Sequence, residues 1–268
     1  MEENSLEERK PGSCVPAKYS SIVTNEDKIH LVGKNPGLII GFLGAGLVGN
    51  IVANQLIEFL SMEQVGWLTS DDLPAMAIFI DGILRHPFRI YYSQKNNLLV
   101  LICEVPFNKS SRYLDLARAI TDWALKIGVK EIGCIQGIPV TGNPLEPHVY
   151  VAAEKEVINR LIETSGVEKL PRGLVLGPEA EVLNVCMVNK LNGYALLTPV
   201  NQEIPSPDGA AAIIEKLNKI YNLDPQVKTD VLLSEAQKIK EKLAELNEKT
   251  QESHKLIPTT LDDKNLYL

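Results

Sequence analysis

The sequence predicts a mixed, three-layer α/β fold with a C-terminal helix and a flexible tail. Short apolar runs typical of buried strands alternate with segments of helical periodicity through most of the chain. One stretch, residues 76–105, holds successive strand-like runs with no helix between them, which indicates antiparallel strands within a mixed sheet. Residues 229–251 contain no Gly or Pro and are rich in Glu, Lys, Ala and Leu, which favours a long helix.

The first half of the chain carries most of the predicted strands. Turn signals at Asp81-Gly82 and at 95–97 separate three of them. Ser110 or Ser111 is a suitable N-cap and Gly128 a suitable C-cap for the helix that follows. We predict strands at 37–42, 65–68, 76–80, 88–92 and 98–105, and helices at 50–60 and 111–127.

The second half continues the alternation of strands and helices. The apolar run at 132–136 leads into a loop rich in Pro, Gly and Asn that extends through Pro147. Asp208 is a suitable N-cap for the last helix of the globular part. We predict strands at 132–136, 149–152 and 194–198, and helices at 154–165, 180–189 and 209–222.

Four segments differ in composition. We expect a flexible N-terminal arm at 1–28, a globular domain at 29–228, an amphipathic helix at 229–253 and a flexible tail at 254–268. The helix carries a stripe of apolar residues spaced four and three apart, which is too short for a sustained coiled coil. The stripe packs either on its own domain or between subunits. Its members are Leu232, Ala236, Ile239, Leu243 and Leu246.

Charge and composition exclude several classes of protein. With 27 Lys and Arg against 34 Asp and Glu, the net charge is -7 and the basic residues are scattered, so we expect no nucleic-acid partner. No apolar run is long enough to span a membrane, and the first ten residues hold no signal-peptide core. The four cysteines lie far apart in the sequence, with no C-x-x-C pair. This pattern favours free thiols in a cytoplasmic protein over disulfides or metal ligands. The four histidines show no ligand spacing, so we expect no metal.

A glycine loop follows the first predicted strand. Gly44, Gly46 and Gly49 match the pattern G-x-G-x-x-G, and Asp71 ends the next strand, where an acid binds ribose in dinucleotide folds. A nucleotide-dependent enzyme, a ligase or an oxidoreductase, is therefore one hypothesis. Asp71 follows Gly44 by 27 residues, however, against the usual ~20, and the chain then enters the antiparallel strands. The alternative is a structural turn that packs a helix close to the sheet.

A small group of basic residues follows the Asp81-Gly82 turn. The group consists of Arg85, His86 and Arg89. It could bind an anion, or a carboxylate of a neighbouring subunit. The alternative is a turn whose charged side chains form surface ion pairs. Ion pairs of this kind are common on protein surfaces. These residues are candidate oligomer or anion contacts.

The C-terminus combines three groups suited to binding a pocket. Leu266 offers an apolar anchor, Tyr267 a phenol that donates a hydrogen bond, and Leu268 the terminal carboxylate. A pocket with a lysine or a backbone nest would hold that anion. Because the preceding residues are polar, we expect these three residues to reach a partner from a flexible tail.

Five strings occur in order along the chain. They are GFLGAGLVGN (41–50), VGWLTSDDLPA (65–75), RHPFRIYY (85–92), LVLICEVP (99–106) and EIGCIQGIPV (131–140). Together they resemble the archaeal branch of the proteasome assembly chaperone family, of the proteasome assembly chaperone 2 type. The resemblance covers about residues 30–225. It implies a nucleoside-phosphorylase-like fold with no known need for a nucleotide or other cofactor, so that the glycine loop is a structural turn.

The resemblance also gives the C-terminus a role. Some members end in a hydrophobic-Tyr-X motif that docks between neighbouring α-subunits of the 20S proteasome, and Leu266, Tyr267 and Leu268 match it. The implied partners are therefore 20S α-subunits and further copies of this chain, in a tetramer or a pentamer. We expect a cytoplasmic protein that is not an enzyme.

Three hypotheses follow. The first is an ATP-independent proteasome assembly chaperone or activator that binds through its C-terminal residues. The second is a nucleotide-dependent enzyme that uses the glycine loop. The third is a scaffold that holds α-subunits through its globular body, with the tail incidental.

Overall fold

A computed structural model shows a nine-stranded mixed β-sheet with helices on both faces. It describes residues 17–107, 110–142 and 146–255, except for the side chains at 110 and 243–255. The strands of this part of the chain are β1 (Ser20–Thr24), β2 (Gly37–Gly41), β3 (Glu63–Ser70), β4 (Ile78–Ile80), β5 (Ile83–Arg85), β6 (Phe88–Ser93), β7 (Leu98–Cys103), β8 (Glu131–Pro139), β9 (Tyr150–Ala153), β10 (Glu168–Lys169) and β11 (Asn192–Val200). The helices are α1 (Glu26–Ile29), α2 (Val48–Phe59), α3 (Tyr113–Lys126), α4 (Lys155–Ser165), α5 (Pro178–Asn189), α6 (Pro207–Ile220) and α7 (Asp230–Lys255).

The sheet has a parallel centre and antiparallel flanks. Its strand order is β1-β3-β6-β7-β2-β8-β11-β9-β10. The four central strands β7, β2, β8 and β11 are parallel, whereas β1, β3 and β6 extend the sheet in antiparallel pairs on one side. The predicted mixed α/β fold is therefore confirmed, and β6 and β7 are the predicted antiparallel strands.

One predicted strand lies outside this sheet. Residues 78–80 form β4, which pairs with β5 in a separate two-stranded hairpin. Asp81 and Gly82 both have positive φ, 51° and 75°, as a two-residue hairpin turn of type I′ requires. The predicted strand at 76–80 therefore does not lie beside the predicted strand at 88–92, and β5 has no counterpart among the predicted strands. The Asp81-Gly82 turn closes this short hairpin, and the chain then enters the nine-stranded sheet at β6.

The N-terminal strand corrects the predicted arm. Residues 20–24 form β1, which pairs antiparallel with β3 at the edge of the sheet. Its burial alternates, and Ile22 packs against the core, so the apolar signal in the sequence is weak. α1 follows, with the Asn25 side chain as its N-cap. The predicted arm thus joins the sheet before residue 28, and residues 1–16 lie outside the described residues.

Two apolar cores flank the sheet and complete the three layers. On one face, Ile39 and its neighbours pack against α2, α4 and α6. On the other, Leu38 and Ile40 pack against α3 and α5. α7 rests on α6 through its buried residues Leu232 and Ala236, so the first part of its apolar stripe packs on its own domain. Leu243 and Leu246 lie beyond the side chains that are described.

Helix α2 approaches the sheet more closely than any Cβ would allow. A Cβ at Gly41 would lie 2.1 Å from the carbonyl oxygen of Gly49, and one at Gly49 would lie 2.7 Å from that of Ile135. Both contacts are with backbone atoms, which cannot rotate away. Gly46 and Leu47 have positive φ values of 63° and 53°, which turn the chain from β2 into α2 over a short loop.

The side chain of Glu179 is buried at the start of α5. It is 2% exposed, and within the described residues one of its carboxylate oxygens has no hydrogen-bond partner. Burial raises the pKa of this carboxyl to about 8, opposed only in part by a hydrogen bond with its own backbone. By contrast, the buried Glu131 carboxylate forms an ion pair with Arg160.

The packing of α2 yields a stability prediction. We expect Gly49→Ala to lower the free energy of unfolding by about 1–3 kcal/mol, because the added methyl group pushes α2 off the sheet. Gly44→Ala is the matched control: its Cβ meets no atom within 4 Å, and its φ of -160° suits any residue. Urea unfolding of the wild type and both variants, without nucleotide, measures the free energies of unfolding to be compared. Equal stabilities would contradict the packing role of Gly49.

Glu179 yields a pH prediction. Its pKa is raised in the folded state, so the folded protein holds a proton that the unfolded chain releases, and stability falls as pH rises between about 4.5 and about 8. Glu179→Gln removes this contribution. We therefore expect the stability of the variant relative to the wild type to increase from about pH 5 to about pH 9 in urea unfolding. A difference that does not change with pH would contradict the burial of an ionisable group.

Candidate functional site

The carboxyl edge of the parallel strands is where α/β folds usually bind ligands, and the glycine loop lies there. In this protein the loop packs against the ends of two neighbouring strands. A Cβ at Gly46 would lie 3.0 Å from the Val200 side chain, and one at Gly137 would lie 2.3 Å from the carbonyl oxygen of Ala45. The Gly46 carbonyl accepts a hydrogen bond from the Ser206 amide at 2.9 Å. Packing accounts for the tightness of this loop.

Asp71 does not lie beside the glycine loop. It is exposed just after β3, and β6 and β7 separate β3 from β2. Three strand spacings of about 4.8 Å make a separation of about 14 Å within the sheet. In dinucleotide folds the ribose-binding acid ends the strand adjacent to the glycine loop. The structure therefore does not bring Asp71 together with Gly44, Gly46 and Gly49, because the antiparallel strands β6 and β7 lie between β3 and β2.

The predicted basic group divides between the interior and the surface. Arg89 is 1% exposed; it donates to the His86 carbonyl at 2.7 Å and to the Tyr91 hydroxyl at 2.9 Å, and it forms an ion pair with Glu104. Burial and the Arg89 charge lower the pKa of His86, whose backbone hydrogen bond with Phe88 opposes them. Arg85 makes no side-chain hydrogen bond or ion pair within the described residues. Among the three, Arg85 is thus the cation left for another molecule.

The β4–β5 hairpin exposes large apolar side chains on both of its strands. We call residues 76–85 the apolar hairpin. Beside it lies a cleft of about 610 Å³, which Leu84 and Arg85 also line. Contiguous apolar surface of this kind marks interaction sites. The sequence contained its signal, an Asp-Gly turn between two apolar runs, but not its exposure. The exposed fractions are 54% for Met76, 65% for Phe79, 39% for Ile80, 54% for Ile83 and 63% for Leu84.

α7 is fixed to the globular part at its first turns. Lys240 forms an ion pair with Asp208 at 2.8 Å, beside the buried Ala236. Burial alone would raise the pKa of Asp208, but hydrogen bonds from Lys240, Ser206 and the Gly209 amide lower it overall. The helix then continues to Lys255. The predicted binding residues Leu266, Tyr267 and Leu268 lie outside the described residues.

The thiols and carboxylates of the described chain form no metal cluster. Cys103, Cys134 and Cys186 are buried and free, as predicted, whereas Cys14 lies outside the described residues. Burial raises the pKa of Cys103 and of Cys186 to about 12, so neither is a reactive thiolate at neutral pH. Within the same ranges, none of the helices is long and apolar enough to cross a membrane.

Solved structures share this architecture. A protein of unknown function from Thermoplasma acidophilum is 34% identical, with a TM-score of 0.69, covering 86% of this chain and 94% of that one. Pyrococcus furiosus PbaA, an archaeal homolog of proteasome-assembly chaperone, is 27% identical, with a TM-score of 0.76 and coverage of 89% and 95%. P. furiosus PbaB, an archaeal proteasome activator, shares the fold at 22% identity, with a TM-score of 0.74 and coverage of 86% and 99%.

The family follows from the sequence itself. The model of the PAC2 family matches residues 38–247, which include the glycine loop, the apolar hairpin and the first turns of α7. This range covers most of the chain and ends within the long C-terminal helix. The chain therefore belongs to the PAC2 family.

Proposed function

We propose that this protein binds the 20S proteasome in the cytoplasm and acts as an ATP-independent assembly chaperone or activator rather than as an enzyme. The observation that carries the proposal is the likeness to P. furiosus PbaA, a homolog of proteasome-assembly chaperone, over 89% of this chain. The shared fold of the activator PbaB is consistent with it. The packed glycine loop and the distance of Asp71 from it do not favour a nucleotide-dependent enzyme.

The proposed contact is made by the last three residues. Leu266 enters an apolar pocket between neighbouring α-subunits, Tyr267 stacks and donates a hydrogen bond, and the Leu268 carboxylate binds a cation or backbone amides. Each group supplies a different interaction, so together they select one pocket. This assignment of roles rests on the sequence pattern and on the family resemblance.

Helix α7 supports this proposal because its first turns are fixed to the globular part and the helix leads the chain towards the C-terminus. The helix has 26 residues, which corresponds to about 39 Å. Its base is held by Leu232, Ala236 and the Lys240–Asp208 ion pair. A fixed base gives the C-terminal segment a defined starting point. If several copies assemble, several C-termini reach one α-ring, and avidity rises without any new contact.

The proposal yields a binding prediction. We expect Tyr267→Ala to weaken binding to a purified archaeal 20S proteasome by about thirtyfold, as loss of an anchor worth about 2 kcal/mol implies. A chain that ends at Asn265 should not bind. Asn265→Ala is the matched control, because it lies just before the motif, and it should bind as the wild type does. Pull-down and peptide hydrolysis measured in the same samples give both affinity and activation.

The outcomes separate the remaining hypotheses. All variants should keep the wild-type thermal midpoint, since the changes lie beyond α7. Equal binding by the truncated and full chains would move the contact to the globular body and favour a scaffold. Failure of the full chain to bind would refute the proposal and justify a nucleotide screen.

A further inference from the structure

We propose that the N-terminal segment of this chain docks in the cleft beside the apolar hairpin and covers the apolar wall of that cleft. The docking segment is residues 6–16, with the sequence LEERKPGSCVP, and it lies outside the described residues. The 610 Å³ cleft is called the hairpin cleft below. The proposal does not rest on proteasome binding, because it concerns the isolated chain.

The folded part holds the chain at two successive residues just after the docking segment. The backbone amides of Lys18 and Tyr19 both donate to the carboxylate of Asp115, in the first turn of α3. The Tyr19 carbonyl accepts a hydrogen bond from the Asp71 amide at 3.1 Å. The Arg112 guanidinium lies 4.0 Å from the centre of the Tyr19 ring. The point from which the docking segment departs is therefore fixed.

This point of departure adjoins the hairpin cleft. Ala17 lines a smaller cleft of about 380 Å³, and Thr69 and Ser70 line both this cleft and the hairpin cleft. The two clefts are therefore contiguous. In the antiparallel pair of β1 and β3, Ser20 lies opposite Ser70. The chain before Ser20 thus runs past the residues that follow Ser70, and these form one wall of the hairpin cleft.

The wall of the hairpin cleft is apolar and accessible, as a docking surface for apolar residues requires. Met76 and Leu84 are 54% and 63% exposed. The docking segment carries Val15 and Pro16 next to its point of departure, and Leu6 at its far end. Docking would remove apolar surface of both partners from water. The apolar members of the wall are Leu73, Pro74, Ala75, Met76, Ala77, Leu84 and Pro87.

Covalent attachment favours this segment over a separate partner. Val15 is two residues before Ala17, so it stays within about 7 Å of it along the chain. Leu6 is 11 residues before Ala17 and reaches up to about 36 Å in an extended chain. A group on so short a linker has an effective concentration in the millimolar range. Apolar contacts too weak to hold a free peptide therefore suffice to hold this segment.

The native thiol of Cys14 allows a direct test in the full chain. Cys14 lies within the docking segment, whereas the cysteines of the described residues are buried. Met76→Cys adds a thiol to the wall of the hairpin cleft. Leu114→Cys is the matched control: Leu114 is 40% exposed and adjoins Asp115, which holds the chain at Lys18, but it does not line the cleft.

The measurement is the rate of disulfide formation in air with a copper catalyst. A disulfide requires that the two Cα atoms come within about 7 Å of each other. We expect the Met76→Cys chain to form an intramolecular disulfide with Cys14 about tenfold or more faster than the Leu114→Cys chain does. The rate should not depend on protein concentration.

A second pair of variants tests whether apolar contact holds the segment. In the Met76→Cys chain, Val15→Ser should slow disulfide formation by about threefold or more, because the segment loses apolar surface. Ser13→Ala, at the other neighbour of Cys14, should leave the rate unchanged. Neither substitution changes the charge beside the thiol, so the two rates compare docking alone.

The alternatives give different results. Equal rates for the Met76→Cys and Leu114→Cys chains would show that the segment moves freely, and would overturn the proposal. A rate that rises with protein concentration would overturn it by assigning the cleft to the segment of a second copy. A Val15→Ser chain that reacts as fast as its parent would overturn it by removing the apolar contact.

Discussion

The close approach of helix α2 to the sheet is the constraint on which the rest of the structure depends. Gly41 and Gly49 leave no space for a Cβ between strand and helix. This contact holds the glycine loop against the ends of β8 and β11, so backbone and Val200 fill the space around it. A glycine pattern that is typical of nucleotide-binding loops thus serves here to pack α2 against the sheet. The candidate binding surfaces lie elsewhere on the molecule.

The inserted antiparallel strands decide how those surfaces are arranged. By lying between β2 and β3, strands β6 and β7 carry Asp71 away from the glycine loop. The hairpin that precedes β6 is left outside the sheet with its apolar side chains exposed. At the other end of the sequence, α7 docks on α6 and extends onward. One molecule therefore combines an exposed apolar surface on its globular part with a helix that leads the chain towards its C-terminus.

Much of the fold was predictable from the sequence, and much of the candidate site was not. Strands such as β2 and β7 are continuous apolar runs buried on both faces, and helices α3, α4 and α6 each carry a clear apolar stripe. β1 was missed because it is a half-exposed edge strand. The burial of the Arg89 side chain was not predicted, because its ion-pair partner Glu104 is 15 residues away in the sequence. Burial of Glu179 and exposure of the hairpin depend on tertiary packing, which local patterns do not contain.

We propose that the protein acts by placing its C-terminus in the proteasome ring. Electron cryo-microscopy of the full chain bound to an archaeal 20S proteasome tests it directly. We expect density for residues 266–268 between neighbouring α-subunits, with Tyr267 in the pocket, the terminal carboxylate at its base, and α7 leading back to the globular part. Density that joins the globular body to the ring while these pockets stay empty would contradict the claim.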